Sequence, residues 1–186
     1  MTNYNQLPDN LPVPADDGAA AHLLGLTLPH VTLPGAKGEV VALGGLKGYA
    51  VIYCYPMTGQ PGVALPAGWD EIPGARGCTP QSCSFRDHYQ ALQALSSQVY
   101  GLSTQTSAYQ REMVERLHLP FPVLSDAQHE LEQALGLPSF EVAGMRLLKR
   151  LTLVTHDAVI KAVHYPVFPS DSDPRWVMDC LKRLQA

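Results

Sequence analysis

The chain has 186 residues, 46% of them hydrophobic and only 16% charged, which suits one globular domain with an ample core. A formal net charge of −4 with no lysine or arginine run argues against nucleic acid or an anionic membrane as a partner, and no stretch reads as a transmembrane span. Four cysteines are too few for a secreted disulfide scaffold of this length, so a close pair points to catalysis or metal binding in a reducing compartment.

In chain order, residues 1 to about 20 carry Pro8, Pro12, Pro14 and Gly18 with little apolar periodicity, and read as a tail or an arm lying on a single domain of residues 21–186. Met1 to Asp17 lacks the basic start and apolar run of a signal peptide, which makes the cytoplasm the expected compartment. Leu26 to Leu33 and Val40 to Leu43 flank Pro34-Gly35-Ala36-Lys37-Gly38, the punctuation of a β-hairpin. Tyr49 to Tyr55 is β-branched, aromatic and continuously apolar, as befits a central strand buried on both faces. Between Pro56 and Cys78 stand Gly59, Pro61, Gly62, Pro66, Gly68, Pro73, Gly74 and Gly77, a density of breakers that leaves no helix or strand.

Next comes Gly77-Cys78-Thr79-Pro80-Gln81-Ser82-Cys83-Ser84-Phe85-Arg86-Asp87-His88, which sets two thiols five residues apart at a helix entrance. Thr79 suits the N-cap and Pro80 the first helical position, so the expected helix runs on through Phe85, Tyr89, Leu92 and Leu95. Cys78 then lies just outside the helix, where free backbone N–H groups and the positive end of the helix dipole favour a thiolate over a thiol. That marks Cys78 as the nucleophile. On an intact helix, Cα atoms five residues apart are about 8.5 Å from each other, beyond the roughly 7 Å reach of a disulfide, so joining Cys78 to Cys83 requires the first turns to unwind.

Further on, Gln98 to Leu102 reads as a strand, Ser107 to Leu117 as a helix ended by Pro120, and Phe121 to Leu124 as a short strand. Ser125-Asp126 caps a helix bearing Leu131 and Leu135 and closed by Gly136. Met145 to Val154 and Val159 to His164 make two strands around Thr155-His156-Asp157-Ala158, and Asp173 caps a last amphipathic helix to Leu184 with Pro174 in its first turn. Strands alternating with helices predict an α/β architecture, a mixed central sheet with helices on both faces. A reactive cysteine at the start of the helix after a central strand is similar to the thioredoxin-like fold.

Gly77-Cys78-Thr79 followed by Cys83, Phe85, Arg86 and Asp87 resembles the active-site segment of the peroxiredoxin Q, or bacterioferritin comigratory protein, group of peroxiredoxins. The likeness extends over Leu28 to Pro56 and Arg150 to His164. It implies a thiol peroxidase that reduces hydrogen peroxide and organic hydroperoxides, with Cys78 peroxidatic, Cys83 resolving and an intramolecular Cys78–Cys83 disulfide recycled by thioredoxin or a similar dithiol. It also implies that Arg150, opening Arg150-Leu151-Thr152-Leu153-Val154, points its guanidinium at the cysteine to stabilise the thiolate and hold the peroxide. No metal or organic cofactor is called for. An intramolecular resolving cysteine removes the chemical need for a partner subunit, which favours a monomer and leaves a dimer open.

The sequence departs from the family in two places. The motif Pro-x3-Thr-x2-Cys has its proline in Pro56, but Ala75 stands three before Cys78 and about fifteen extra residues intervene, forming an inserted approach loop at about 59–77. Thr58 folding back, or Thr79, would supply the family hydroxyl, or it is absent. Gln81 replaces an acidic residue common three positions after the nucleophile.

By spacing alone, Cys78 and Cys83 are equally consistent with two inert core thiols, and a zinc site would need two further ligands, with His88 the nearest candidate. A thiol-disulfide oxidoreductase, or a redox-sensing or metal-binding module without peroxidase turnover, is the alternative function. Cys54 and Cys180 read as core residues, Trp69 and Trp176 as core or loop anchors, and Arg86 as a helix-surface charge as readily as a catalytic one.

Overall fold

The computed structural model describes residues 10–186; the part of the predicted arm at residues 1–9 lies outside the described residues. A small antiparallel hairpin, β1 (Thr32–Pro34) with β2 (Val40–Ala42), precedes β3 (Tyr49–Cys54). The eight-residue apolar run from Leu26 contributes only Thr32 and Leu33 to regular strand, plus a bridge from Thr27 to Val159, and β1 extends one residue further to Pro34. After β3 the 56–77 stretch holds one short 3₁₀ turn at Trp69–Glu71, where no regular element is expected, entered through Gly68 at φ 74°.

Then follow α1 (Cys78–Asp87), α2 (Tyr89–Ala94), β4 (Ser97–Ser103), α3 (Ser107–Arg116), β5 (Val123–Ser125) and α4 (Glu130–Leu135). The predicted helix through Leu95 is two helices, broken at His88, whose Nδ1 bonds the Ser84 carbonyl at 2.8 Å. The Thr106 side chain caps α3 by accepting from the Tyr109 N–H, and the Asp126 carboxylate accepts from Leu131 and Glu132 at the head of α4.

The chain closes with β6 (Ser139–Val142), β7 (Met145–Leu148), β8 (Leu151–His156), β9 (Val159–His164) and α5 (Asp173–Gln185). The predicted strand over 145–154 is two strands, and β6 pairs with β7 across Ala143-Gly144, both at positive φ, in a separate hairpin. The chain breaks at Lys149-Arg150 and re-enters the main sheet at Leu151.

That sheet has the order β5-β4-β3-β8-β9, parallel from β3 through β5 and antiparallel from β3 through β9, with β3 at its centre. Ala50, Ile52 and Cys54 pack on one face with Leu131 and Leu135 of α4, while Val51 and Tyr53 pack on the other with α1, α2, α3 and α5. Helices therefore cover both faces of a mixed sheet. Gly101 of β4 is required by this packing: a Cβ there would meet the Tyr53 hydroxyl at 2.8 Å. Among the described residues no helix is long and apolar enough to cross a membrane.

Candidate active site

The site stands where β3 ends and antiparallel β8 begins, with Cys54 opposite Leu151. Helix α1 is laid on the sheet by its own spacing. Cys78, Gln81, Ser82 and Phe85 stand at i, i+3, i+4 and i+7 and are all buried, the pattern of one helix face turned to the core. The Phe85 ring stacks on Tyr53 at 4.3 Å between centroids, and the Tyr53 hydroxyl donates to Ser82 Oγ at 3.2 Å. Cys83 lies off this face and is half-buried.

Helix α1 begins two residues earlier than its capping pattern predicts. Gly77 is the N-cap at φ 108°, a left-handed conformation that favours glycine, and Cys78 is the first helical residue. Thr79 and Pro80 occupy the second and third positions of the first turn, where the prolyl nitrogen still needs no partner. Cys78 thus lies within the helix rather than outside it, as the first residue of its first turn.

Arg150, 3% exposed and directly before β8, spends its donors on this turn. Its Nη2 lies 3.2 Å from Cys78 Sγ and also reaches the carbonyls of Ala75 at 3.1 Å and Arg76 at 3.3 Å; Nε reaches the Gly74 carbonyl at 3.3 Å. Cys78 Sγ in turn approaches the Ala75 carbonyl at 3.6 Å, the geometry of a weak thiol donor. Arg150 thus sets a fixed cation against the sulfur in a buried site, where a charge interacts more strongly than it would in water.

The guanidinium is itself held from behind. Nη1 donates to Gln81 Oε1, and Gln81 Nε2 donates to Asp173 Oδ2 at 2.7 Å. The same carboxylate accepts from Thr152 Oγ1 at 2.6 Å and bonds His164 Nδ1 at 2.8 Å, with His164 stacked on Trp176. Asp173 is therefore not the cap of α5, since Ser172 holds that position; it is a fully buried acceptor at the first turn. Gln81, Thr152, His164 and Asp173 escape sequence reading because the contacts join residues as far as 92 positions apart.

On the other side of the sulfur, a cavity of about 10 Å³ is lined by Met57, Gly59, Leu65, Trp69, Cys78 and Thr79, among others. Thr79 is thus brought to Cys78. Thr58, between two cavity-lining residues, is 1% exposed, and its hydroxyl has no partner among the described residues, while its carbonyl accepts from the Tyr109 hydroxyl at 2.6 Å. Pro56 is buried, does not line the cavity, and accepts from Ser103 Oγ at 2.9 Å.

The remaining thiols sit in different surroundings. Burial pushes the Cys83 thiol up, against the opposing pull of Arg86 and Arg116. Burial likewise raises Cys54 and Cys180, which pack in the two cores. Arg86 bonds the Leu117 carbonyl at 2.9 Å and Asp87 at 2.8 Å. Among the described residues no group of three or more His, Cys, Asp or Glu is placed to hold a metal ion.

Residues 23–177 match the Redoxin family model. The chain is 33% identical over 163 residues to peroxiredoxin Q, chloroplastic, of Oryza sativa subsp. japonica, covering 87% of this chain and 66% of that one. It is 29% identical over 163 residues to peroxiredoxin Q, chloroplastic, of Sedum lineare, covering 87% of this chain and 77% of the relative. Among solved structures, peroxidoxin BcpB from Mycobacterium tuberculosis superposes with a TM-score of 0.70 at 24% identity, over 88% of this chain and 98% of that one. The chain belongs to the Redoxin family, within which it is a peroxiredoxin like those of the Q/Bcp group.

Proposed function

We propose that this peroxiredoxin, a thiol peroxidase that consumes a hydroperoxide and a thiol reductant, works through Cys78 as its peroxidatic residue and Cys83 as its resolving residue. The observation that carries the reading is Arg150 Nη2 at 3.2 Å from Cys78 Sγ, in the first turn of α1. The Cys78 thiolate attacks the terminal peroxide oxygen; the O–O bond breaks, the sulfur is oxidised to a sulfenic acid, and the departing oxygen takes a proton as water or alcohol. Arg150, with five fixed donors, holds the sulfur in its ionised form and, by turning donors from the Gly74–Arg76 carbonyls to the peroxide, stabilises charge on the leaving oxygen.

In the second step the first turns of α1 unwind and the Cys83 thiolate attacks the sulfenic sulfur, forming the Cys78–Cys83 disulfide and expelling hydroxide, which takes a proton and leaves as water. An external dithiol, thioredoxin by family, then reduces this bond through a mixed disulfide. The protein is accordingly an atypical two-cysteine enzyme that acts as a monomer in the cytoplasm, with sulfur alone carrying the electrons. In the site, Pro56 backs the loop, and Thr58 or Thr79 offers a hydroxyl to the bound peroxide. The 59–77 stretch is an insertion in a single domain of residues 21–186, with the chain before it an arm.

Peroxide titration of the reduced protein, with mass detection of the linked peptide, tests this. The expected result is loss of two thiols per chain through a Cys78–Cys83 link and their recovery with thioredoxin. A Cys78→Ser variant consuming peroxide at the wild-type rate overturns the assignment.

A further inference from the structure

The 59–77 stretch closes over Cys78 as a packed body. Trp69, Ala75 and Met57 are buried together with Leu147 of β7, and Leu65, Ile72 and Phe140 pack against them. The Trp69 ring meets Phe140 of β6 at 6.3 Å. This satellite core seats the stretch on the β6–β7 hairpin, which otherwise stands apart from the main sheet. Its C-terminal end is pinned by three carbonyls, those of Gly74, Ala75 and Arg76, on the Arg150 guanidinium, and its two limbs are clipped by Arg76 to Asp70 at 3.2 Å. Cys78 is left 4% exposed, facing a cavity of about 10 Å³. Space of that order holds about one water-sized molecule.

We infer that this stretch is a size filter that admits hydrogen peroxide to Cys78 and excludes hydroperoxides bearing bulky alkyl or aryl groups, with Trp69 as the residue that sets the limit. The inference rests on the reading of Cys78 as the peroxide-attacking thiol. Two oxygens with two hydrogens occupy little more than the space of one water. A cumyl group would have to displace Trp69 or Leu65, and Trp69, 3% exposed and in the middle of the satellite core, cannot turn away without uncovering Met57 and Phe140.

The test is single-turnover oxidation of the reduced full chain by hydrogen peroxide and by cumene hydroperoxide, with sulfenic acid trapped at Cys78 and quantified by mass spectrometry. Wild type is expected to react at least about tenfold faster with hydrogen peroxide, since pockets discriminate by roughly 10–200-fold for a single methylene. Trp69→Ala should bring the two rates within a few-fold of each other. Leu65→Ala, at the half-buried rim, should narrow the gap by a smaller factor and decides the matter if Trp69→Ala fails to fold. Equal wild-type rates, or a ratio unmoved in variants that keep the wild-type circular dichroism, overturn the filter. Failure of both peroxides to oxidise Cys78 overturns the assignment of Cys78 instead, which keeps the two failures distinct.

Discussion

The two sides of the Cys78 sulfur are built on opposite plans. Behind it, the polar side chains form a matched chain, Arg150 to Gln81, Gln81 to Asp173, and Asp173 to Thr152 and His164, carried by α1, α5, β9 and β8 with the residue just before it. In front of it, the 59–77 stretch has one short 3₁₀ turn, a small satellite core and, beside it at Thr58, a buried hydroxyl without a partner. A saturated network in a low-dielectric interior fixes a charge in place, because any displacement leaves a buried donor or acceptor unpaired. An apolar cover held at its edges fixes a shape and leaves room for one small polar guest. On the proposed mechanism the back governs the reactivity of the sulfur and the front governs what reaches it.

The largest effect comes from the sulfur itself. Cys78→Ser should reduce peroxide consumption to the uncatalysed background in a ferrous-oxidation assay, with Cys83 left as a free thiol. Next is the cation behind it. Arg150→Lys keeps the charge but loses the fork that spans Cys78, Gln81 and three carbonyls, and should slow sulfenic acid formation by about 10²–10³-fold, the usual cost of a preorganised donor. Rates within a factor of two of wild type would show that the back of the site does not govern reactivity.

In the proposed cycle, disulfide closure draws on neither side but on the melting of α1 between them. Burial holds Cys83 as the thiol, and closure needs its thiolate, so the rate of link formation should rise with pH, by up to about tenfold per unit below the thiol's pKa. Quenched-flow mass detection between pH 6 and 9 measures it. A flat profile would mean that unwinding, not ionisation of Cys83, limits the step.

How far each side is legible follows from the range of its contacts. The central strand at Tyr49–Tyr55, the helix after it and the strand order that places both in a mixed sheet leave local traces in the sequence, a buried apolar run and breaker-rich flanks. Cys78 and Arg150 can be named before any coordinates, one by its position at a helix entrance and the other by resemblance. Gln81 stands out only as a replacement for a family acid, and Thr152, His164 and Asp173 carry no local mark of their contacts: Asp173 looks like a helix cap because an acid before Pro174 usually is one, and its burial depends on β8 and β9 packing over it. The β6–β7 hairpin is hidden by the same cause, since apolar residues from 145 to 154 read as one strand until the Lys149-Arg150 break is seen in space. Thr79 fits an N-cap by type, yet Gly77 takes the position because its φ of 108° lets the chain turn sharply into α1.

The smallest effect makes the sharpest contrast between the two sides. Gln81→Leu keeps much of the side-chain volume but strands Arg150 Nη1 and Asp173 Oδ2 in the interior, and should lower unfolding free energy by about 1–3 kcal/mol in urea titration. Thr58→Val removes a buried hydroxyl that has no partner among the described residues, so it strands nothing, and should change stability by less than about 1 kcal/mol, in the stabilising direction. If that hydroxyl holds the peroxide, the same substitution lowers the rate of Cys78 oxidation while leaving the urea midpoint in place or raising it. Loss of stability in Thr58→Val comparable to that in Gln81→Leu would mean that the front is as tightly matched as the back, and the distinction between a side that fixes charge and a side that fixes shape would fall.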